Sequence, residues 1–317
     1  GSDGRIIQWN MNNNNGEHTV LMNNKSSINR CLDISKNDRW LAVGTGKTVQ
    51  LIELTSTKSP VYLNGHRDVV WSVAFSSDGK KLVTSAADST VRLWDIGTGD
   101  NTIIAKVDSR VKSISLSSDD KYVIGGTENG KVVKWITSAE NDPGKVIFEE
   151  KNDPIYSVAI SNDNTMYATG DLQGTVRLYD MKTDELVESL SGHDARINDL
   201  QFSPDNSRLA SASYDGKIQL WNTDDLNYQP IVLDDHSSWV WSLAFSPDGS
   251  NLISGCVDRL IRKYPTHSYM MASQMCSKIT RNISKKEWDR YVGEDIEYQR
   301  TCAELPEGEG VIIINQQ

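Results

Sequence analysis

Short apolar runs, separated by turn residues, follow one another along most of the chain. In one stretch Val70 to Phe75 is followed by Ser77-Asp78-Gly79, then by Leu82 to Ser85, and finally by Val91 to Asp95. Runs of this length that are rich in Val, Ile, Leu and Thr and bounded by Gly, Asp, Asn and Ser indicate antiparallel strands joined by tight turns. The pattern therefore predicts an all-β fold.

The same order of runs and turns returns every 41 to 44 residues. A fixed period of this length indicates an array of similar supersecondary units. Each copy ends its third run on a large residue, and the seven such residues are Trp9, Ile52, Trp94, Trp135, Tyr179, Trp221 and Tyr264. Seven positions predict seven units. The first is incomplete, because the chain enters it at the third run.

These repeats resemble the WD-repeat β-propeller family. The copy with Gly65-His66 and Trp94-Asp95 carries both signature dipeptides of the family, and the copy with Gly192-His193 and Trp221-Asn222 is weaker. The resemblance covers residues 1–272 and implies four-stranded blades packed radially around a channel. We therefore expect a β-propeller of WD repeats, with seven blades of which one is incomplete or composite.

Residues 273–317 break the period and are expected to form a C-terminal tail. Ser284-Lys285-Lys286-Glu287 has the form of a capping box, which predicts a short helix, and Val311 to Ile314 is suited to a closing strand. Trp288 to Gly293 followed by Tyr298 to Cys302 resembles a segment that closes propellers in bacterial multidomain proteins. There the propeller follows a caspase-like, NTPase or other effector domain, so the resemblance implies a larger bacterial protein.

The family resemblance also implies a hydrogen-bonded bracket of four residues inside each well-formed blade. The two complete copies are His66, Thr84, Asp88, Trp94 and His193, Ser211, Asp215, Trp221. A Ser-His-Asp triad would need an exposed nucleophile beside an oxyanion hole. These groups instead repeat with the period and end on an indole, so we interpret them as structural. Where Asn129 or Gln173 replaces the aspartate, or Ile52 the tryptophan, we expect mostly apolar packing.

Residues that enter the innermost strand of each blade, or precede its turn aspartate, should lie at the rim of the channel. Tryptophan, tyrosine and arginine dominate interaction hot spots. The aromatic and cationic residues at these positions are Trp71, Arg110, Lys112, Tyr156, Arg196, Tyr214, Trp239 and Trp241. We predict that this rim binds a protein or peptide, favouring acidic or apolar segments. For Trp71 and Trp241, packing between blades is an equal alternative.

Composition narrows the class of partner. The chain has 33 Lys and Arg against 43 Asp and Glu, a net charge of −10, which argues against nucleic acid. No apolar run approaches the length of about 18 residues that crosses a membrane, and no signal peptide opens the chain. We therefore expect a cytoplasmic location. The four cysteines lack metal-ligand spacing, so free thiols, no metal and no cofactor are expected.

These patterns predict a non-enzymatic scaffold or sensing domain. Its expected partner is a protein or peptide, and an effector domain of the same full-length chain is one candidate. An oligomerisation module is one alternative. A propeller-type hydrolase is a second, although metal-assisted chemistry needs convergent ligands, and the sequence shows no cluster of His, Asp and Glu outside the bracket positions.

Overall fold

The computed structural model describes residues 3–11, 17–23, 28–56, 58–277, 279–286, 288, 300 and 302–306. Nearly every regular element in them is a β-strand. The chain divides into two compact units, residues 1–244 with 254–261 and residues 245–253 with 262–317. The boundaries predicted for the propeller and the tail, 1–272 and 273–317, stay a prediction.

The described sheets follow the chain in order. A two-stranded ribbon comes first, made of β1 (Arg5–Trp9) and β2 (His18–Asn23). The next two sheets have four strands each: β3 (Asn29–Ile34), β4 (Trp40–Thr45), β5 (Thr48–Glu53), β6 (Val61–Asn64), and β7 (Val70–Phe75), β8 (Lys81–Ala86), β9 (Thr90–Asp95), β10 (Asn101–Lys106).

Three more four-stranded sheets continue the series. They are β11 (Val111–Leu116), β12 (Tyr122–Thr127), β13 (Lys131–Ile136), β14 (Lys145–Glu149); β15 (Ile155–Ile160), β16 (Met166–Asp171), β17 (Val176–Asp180), β18 (Leu186–Leu190); and β19 (Ile197–Phe202), β20 (Arg208–Ser213), β21 (Ile218–Asn222), β22 (Ile231–Leu233). The last sheet has three strands, β23 (Val240–Phe245), β24 (Asn251–Cys256) and β25 (Ile261–Pro265).

The prediction of seven blades is wrong in number. Among the described residues there are six sheets of three or four strands, and residues 3–23 add only the β1–β2 ribbon. Trp9 shows the physical difference, because it lies in this ribbon and is 40% exposed, whereas Trp94 and Trp135 in complete sheets are fully buried. The period in the sequence marks the position of a repeat but does not ensure a full sheet around it.

Apolar side chains of neighbouring sheets interlock to form the core of the first unit. Val49 and Leu51 of β5 share one buried cluster with Val70, Leu82 and Trp94 of the next sheet. Complete burial of such a side chain contributes about 1.5–3 kcal/mol. A middle strand such as β8 is therefore buried on both faces, while an outer strand such as β18 is mostly exposed.

The innermost strands of successive sheets, β3, β7, β11, β15 and β19, lie beside one another. Polar side chains link them across the sheets. The carboxylate of Asp33 accepts the backbone N–H of Phe75 at 2.8 Å, and the hydroxyl of Ser115 accepts that of Ile160 at 3.1 Å. These links join successive innermost strands near the ends that lie away from the rim residues.

In the described part of the second unit lies the helix α1 (Ser268–Cys276), which the sequence did not predict. At the predicted capping box, the backbone N–H of Trp288 donates to the carbonyl of Ser284 at 2.9 Å, as in one helical turn. Glu287 and the suggested closing strand Val311 to Ile314 lie outside the described residues. In the described part of the chain, no helix has the length and apolar character needed to cross a bilayer.

Cysteine pairing corrects the expectation of four free thiols. Cys276 and Cys302 form a disulfide with an S–S distance of 2.06 Å. Cys31 and Cys256 are free and lie in strands β3 and β24. The two bonded residues are 26 positions apart, a separation with no characteristic motif, so only the fold reveals the pair.

Candidate functional site

The rim positions occupy equivalent places in five successive repeats. In each, the residue that enters the innermost strand accepts, through its carbonyl, the backbone N–H of a residue 18 positions later, at 2.8–3.1 Å. The acceptor and donor pairs are Val69 and Ala87, Arg110 and Glu128, Pro154 and Leu172, Arg196 and Tyr214, and Trp239 and Val257. The predicted residues are therefore gathered at one end of the innermost strands.

A β-bulge directs one side chain at the start of each of five innermost strands. The pairing register shifts across a single residue near the start of each strand, leaving that residue without a cross-strand partner. A bulge turns the unpaired side chain away from the regular alternation. The bulged residues are Arg30, Trp71, Lys112, Tyr156 and Asn198. Sequence reasoning missed the bulge, which is defined by pairing with another strand.

Cations and aromatic rings alternate from one sheet to the next. The guanidinium of Arg30 lies 4.8 Å from the ring of Trp71. The ammonium of Lys112 lies 4.2 Å from the same ring and 6.0 Å from that of Tyr156. The guanidinium of Arg196 follows, 4.4 Å from Tyr156. Each such contact contributes about 0.5–2 kcal/mol, more where water is excluded.

The series ends at Arg196, which also lies beside Tyr214 and Trp241. Its guanidinium lies 4.3 Å from Tyr214 and 5.4 Å from Trp241. Tyr214 stacks on Trp239 with ring centres 4.0 Å apart and meets Trp241 edge-on at 5.9 Å. Together Arg30, Trp71, Lys112, Tyr156, Arg196, Tyr214, Trp239 and Trp241 make up what we call the cation–aromatic surface.

Solvent exposure distinguishes Trp71 from Trp241, for which the sequence left packing between blades as an equal alternative. Trp241 is 48% exposed and Trp239 is 42% exposed, so both present large apolar area to solvent. Trp71 is half-buried, and its indole nitrogen is buried without a hydrogen-bond partner. Packing between sheets therefore describes Trp71, whereas Trp241 is available for contact.

Arg110 and Lys112 share an acidic partner. The carboxylate of Glu128 lies 2.8 Å from the ammonium of Lys112 and 3.3 Å from the guanidinium of Arg110. The hydrogen bond from Lys112 lowers the pKa of Glu128, which therefore stays ionised at neutral pH. Glu128 offsets much of the positive charge that the sequence assigned to these two positions.

The first bracket forms a continuous hydrogen-bonded chain. His66 Nε2 lies 2.7 Å from the Thr84 hydroxyl, which also accepts the indole N–H of Trp94 at 2.8 Å. His66 Nδ1 lies 3.0 Å from the carboxylate of Asp88. Burial alone would raise the pKa of Asp88, but hydrogen bonds from His66 and from the backbone N–H of Arg67 outweigh it and lower the pKa.

The second bracket repeats this geometry. His193 Nε2 lies 2.8 Å from the Ser211 hydroxyl, Nδ1 lies 2.9 Å from the Asp215 carboxylate, and the indole of Trp221 donates to Ser211 at 3.1 Å.

A third histidine, aspartate and serine group was missed. His236 Nε2 lies 2.7 Å from the Ser254 hydroxyl and Nδ1 lies 3.4 Å from Asp258. The spacing of 22 residues between histidine and aspartate, shared by all three groups, was the available signal.

A buried charge cluster replaces the bracket in the sheet β15 to β18. Asp171 is fully buried and contacts the guanidinium of Arg177, while Asp153 is 6% exposed. Burial, and then the charge of Asp171, raise the pKa of Asp153 to about 6. The repeat with Gln173 thus holds a buried Asp–Arg pair in addition to its apolar core.

One group of described residues has the composition of a metal site. Ligand atoms of His236, Cys256 and Asp258 lie within 4.8 Å of one another. The Cys256 thiol donates to the carbonyl of Ser238 at 3.2 Å, and burial raises its pKa. The sulfur is therefore protonated at neutral pH, and a metal would first have to displace that proton.

Comparison with known proteins agrees with the repeat architecture. The family model for the WD domain, G-beta repeat, matches residues 57–95, 144–180, 184–222 and 228–264. Together with the six sheets, these matches confirm the WD-repeat family and an all-β β-propeller of WD repeats.

Three known proteins are similar to this chain in sequence. Target of rapamycin complex subunit wat1 of Schizosaccharomyces pombe is 27% identical over 64% of this chain and 67% of its own length. WD repeat-containing protein SL1-17 of Schistosoma mansoni is 32% identical over 51% of this chain and 53% of its own length. Eukaryotic translation initiation factor 3 subunit I of Emericella nidulans is 28% identical over 51% of this chain and 52% of its own length.

The chain thus spans about half the length of two of these relatives and two thirds of the other. All three come from eukaryotes, so they lend no support to the predicted similarity to bacterial multidomain proteins. Two of them are named as subunits of larger protein assemblies.

Proposed function

We propose that this chain is a non-enzymatic interaction scaffold that binds a protein or peptide partner on the cation–aromatic surface. The observation that carries the proposal is the exposed stack of Tyr214 and Trp239 beside Trp241 and Arg196. Large aromatic side chains and arginine supply most of the binding energy in protein interfaces. Exposed apolar area of this kind marks an interaction site when it is contiguous.

The relatives support the same class of function. Two are named as subunits of a target of rapamycin complex and of an initiation factor, and binding other proteins is what a subunit requires. A similar role within an assembly is our proposal for this chain. The acidic composition supports a protein partner over nucleic acid.

Two finer proposals concern context. The first is that the scaffold acts as the sensing arm of a larger bacterial protein, supported only by the resemblance of the segment from Trp288 to Cys302, most of which lies outside the described residues. The second is the cytoplasmic location, which stays a prediction.

Neither alternative is favoured by a specific contact. For a hydrolase, the best acidic pair is Asp153 and Asp171, but Asp171 is fully buried against Arg177, where a substrate cannot reach it. The oligomerisation alternative predicts a concentration-dependent mass in light scattering, with an interface at the cation–aromatic surface. The scaffold proposal expects a mass that does not change when Trp239 is replaced.

Affinity capture tests the proposal. The wild-type chain, Trp239→Ala and the control Tyr62→Ala are used as baits in an extract of the source organism. Tyr62 is also an exposed aromatic, at 54%, but lies on the outer strand β6. We expect the same proteins on wild type and Tyr62→Ala, and at least a several-fold loss on Trp239→Ala. Equal capture by all three would refute the assigned surface.

A further inference from the structure

Arg196 is a half-buried cation without an acidic partner. Its Nε donates to the side-chain oxygen of Asn198 at 2.8 Å, and its guanidinium lies against Tyr156, Tyr214 and Trp241. No carboxylate among the described residues lies within 4.0 Å of its nitrogens. The N–H groups of the two terminal nitrogens therefore have no acceptor among the described residues. These N–H groups form a planar fork whose geometry matches a carboxylate.

Asn198 holds that fork in place. Its side-chain nitrogen donates to the carbonyl of Val240 at 2.7 Å, which fixes the orientation of the amide and directs its oxygen to Arg196. Asn198 is itself the bulged residue between Ile197 and Asp199, so its side chain is set by the backbone. Arg196 is thus oriented through its Nε before any ligand arrives, which lowers the entropy lost on binding.

The other cations at the rim positions are in different states. Lys112 and Arg110 are paired with Glu128, and Arg30 is exposed to water. A half-buried charge gains most from a partner, because it has already lost part of its hydration. One unpaired guanidinium matches a singly charged carboxylate, whereas recognition of a phosphate dianion typically uses a cluster of arginines.

The apolar ring of Trp239 lies near the guanidinium of Arg196. The guanidinium of Arg196 lies 4.3 Å from the Tyr214 ring, whose centre lies 4.0 Å from that of Trp239, so the Trp239 ring is at most about 8 Å from the guanidinium. Two residues of extended chain, roughly 7 Å, span a distance of this size. Side chains two residues apart in an extended segment point to the same side. The surface therefore accommodates an acidic and an apolar side chain at positions i and i+2.

We propose that the guanidinium of Arg196 binds a side-chain carboxylate of the partner protein, and that an apolar side chain two residues away on the same extended segment packs on Trp239. This inference rests on the proposed function and adds the chemical class of its ligand. Asn198 is a positioning residue that acts through Arg196.

Peptide selection tests the ligand class. A library of displayed linear peptides with internal random positions is selected on the wild-type chain, on Arg196→Gln and on the control Lys106→Gln. The control removes the same charge from an exposed residue of β10, on the outer side of its sheet. We expect wild type and control to enrich Asp or Glu two positions from an aromatic or aliphatic residue, and Arg196→Gln to lose the acidic preference while keeping the apolar one.

A double-mutant cycle then tests direct contact. For one selected peptide, replacing Glu by Gln should lower affinity for wild type about tenfold, as should Arg196→Gln with the original peptide. The two changes together should cost little more than one, because they remove the same contact. Arg196→Lys should lose most of the affinity despite its charge. Asn198→Ala should show an intermediate loss of affinity, and this loss should disappear when Arg196 is already replaced by Gln.

The outcomes separate this inference from the function on which it rests. Selection of apolar peptides that depend on Trp239 but carry no acidic preference would overturn the role of Arg196 and leave the scaffold proposal standing. Additive losses in the cycle would overturn it as well. A synthetic peptide with phosphoserine at the acidic position that binds more tightly than the Glu peptide would replace the carboxylate by a phosphate ligand.

Discussion

Single hydroxyl groups join histidine and tryptophan in the first two brackets. Thr84 is fully buried, and its hydroxyl is hydrogen-bonded to Nε2 of His66 and accepts the indole N–H of Trp94. Each such bond contributes about 1 kcal/mol, while an unpaired buried partner costs about 1–3 kcal/mol. Because no substrate can reach Thr84, the similarity of the bracket to a catalytic triad extends only to residue types.

Two aspartates link neighbouring innermost strands and are unusual in their ionisation. Asp33 accepts the backbone N–H of Phe75, and Asp199 accepts that of Leu243, both at 2.8 Å. Burial raises the pKa of Asp33 to about 6 and that of Asp199 to about 7. Near neutral pH a carboxyl that connects two strands is therefore close to its titration point.

We predict that Asp199→Asn reduces the pH dependence of stability. Because the folded-state pKa is raised, the folded state binds more protons than the unfolded state between pH about 4 and about 7, and the wild-type free energy of unfolding falls as pH rises through that window. The share of Asp199 is on the order of a few kcal/mol, at about 1.4 kcal/mol per pKa unit.

Urea unfolding at pH about 4.5 and at pH about 7.5, at constant ionic strength, measures this effect. The variant should be more stable relative to wild type at the higher pH, and Asp224→Asn, which removes an exposed carboxylate, should not differ between the two. The same pH slope in wild type and Asp199→Asn would contradict the assignment.

Glycines of the middle strands allow adjacent sheets to approach closely. A Cβ atom on Gly170 would meet Ile197 of the next innermost strand at 2.5 Å, and one on Gly126 would meet Ile155 at the same distance. Ile155 and Ile197 directly precede the bulged residues Tyr156 and Asn198, so these glycines contact the start of the next innermost strand. Packing between sheets thereby determines where the cation–aromatic surface lies.

We predict that Gly170→Ala lowers the free energy of unfolding by about 1–3 kcal/mol, because the added methyl group forces the β16 strand away from Ile197. Chemical denaturation monitored by tryptophan fluorescence gives the value. Gly97→Ala is the matched control, since its Cβ would meet only the Asp95 side chain at 3.3 Å. Equal stability of the two variants would show that the sheets separate without cost.

At the scale of the whole molecule, the two units are stabilised in different ways. The first unit depends on apolar clusters between sheets. In the second, the side-chain nitrogen of Asn282 donates to the carbonyls of Cys302 and Leu305, both at 2.8 Å, and Cys302 is bonded to Cys276. A disulfide of this kind is uncommon in a reducing compartment, so its state bears on the predicted cytoplasmic location.

We predict that two thiols, those of Cys31 and Cys256, react with an alkylating reagent in denaturant without reductant, and that four react after reduction. Mass spectrometry of the intact chain counts the added groups, and peptide mapping assigns them. Cys302→Ser should leave three reactive thiols under both conditions and make the second unit more sensitive to protease. Four reactive thiols in the unreduced wild type would contradict the pairing.

The parts of the site that sequence reasoning recovered are those tied to the repeat. Trp239, Tyr214 and Arg196 were placed together because each stands at a fixed offset from a turn. The same offsets could not show that Glu128 pairs with Lys112, since that contact joins two strands through side chains. Asp153 and Asp171 were missed for a similar reason, as they converge only when their sheet folds.

The sequence by itself determined the repeat, the strands and turns and the family, because alternation of apolar residues and the preferences of turn residues act over a few neighbours along the chain. Only the tertiary structure decided the number of complete sheets, the bulges, the disulfide and the free donor fork of Arg196. Each of these depends on a contact between residues far apart in sequence, whose distance is set by how the sheets pack against one another.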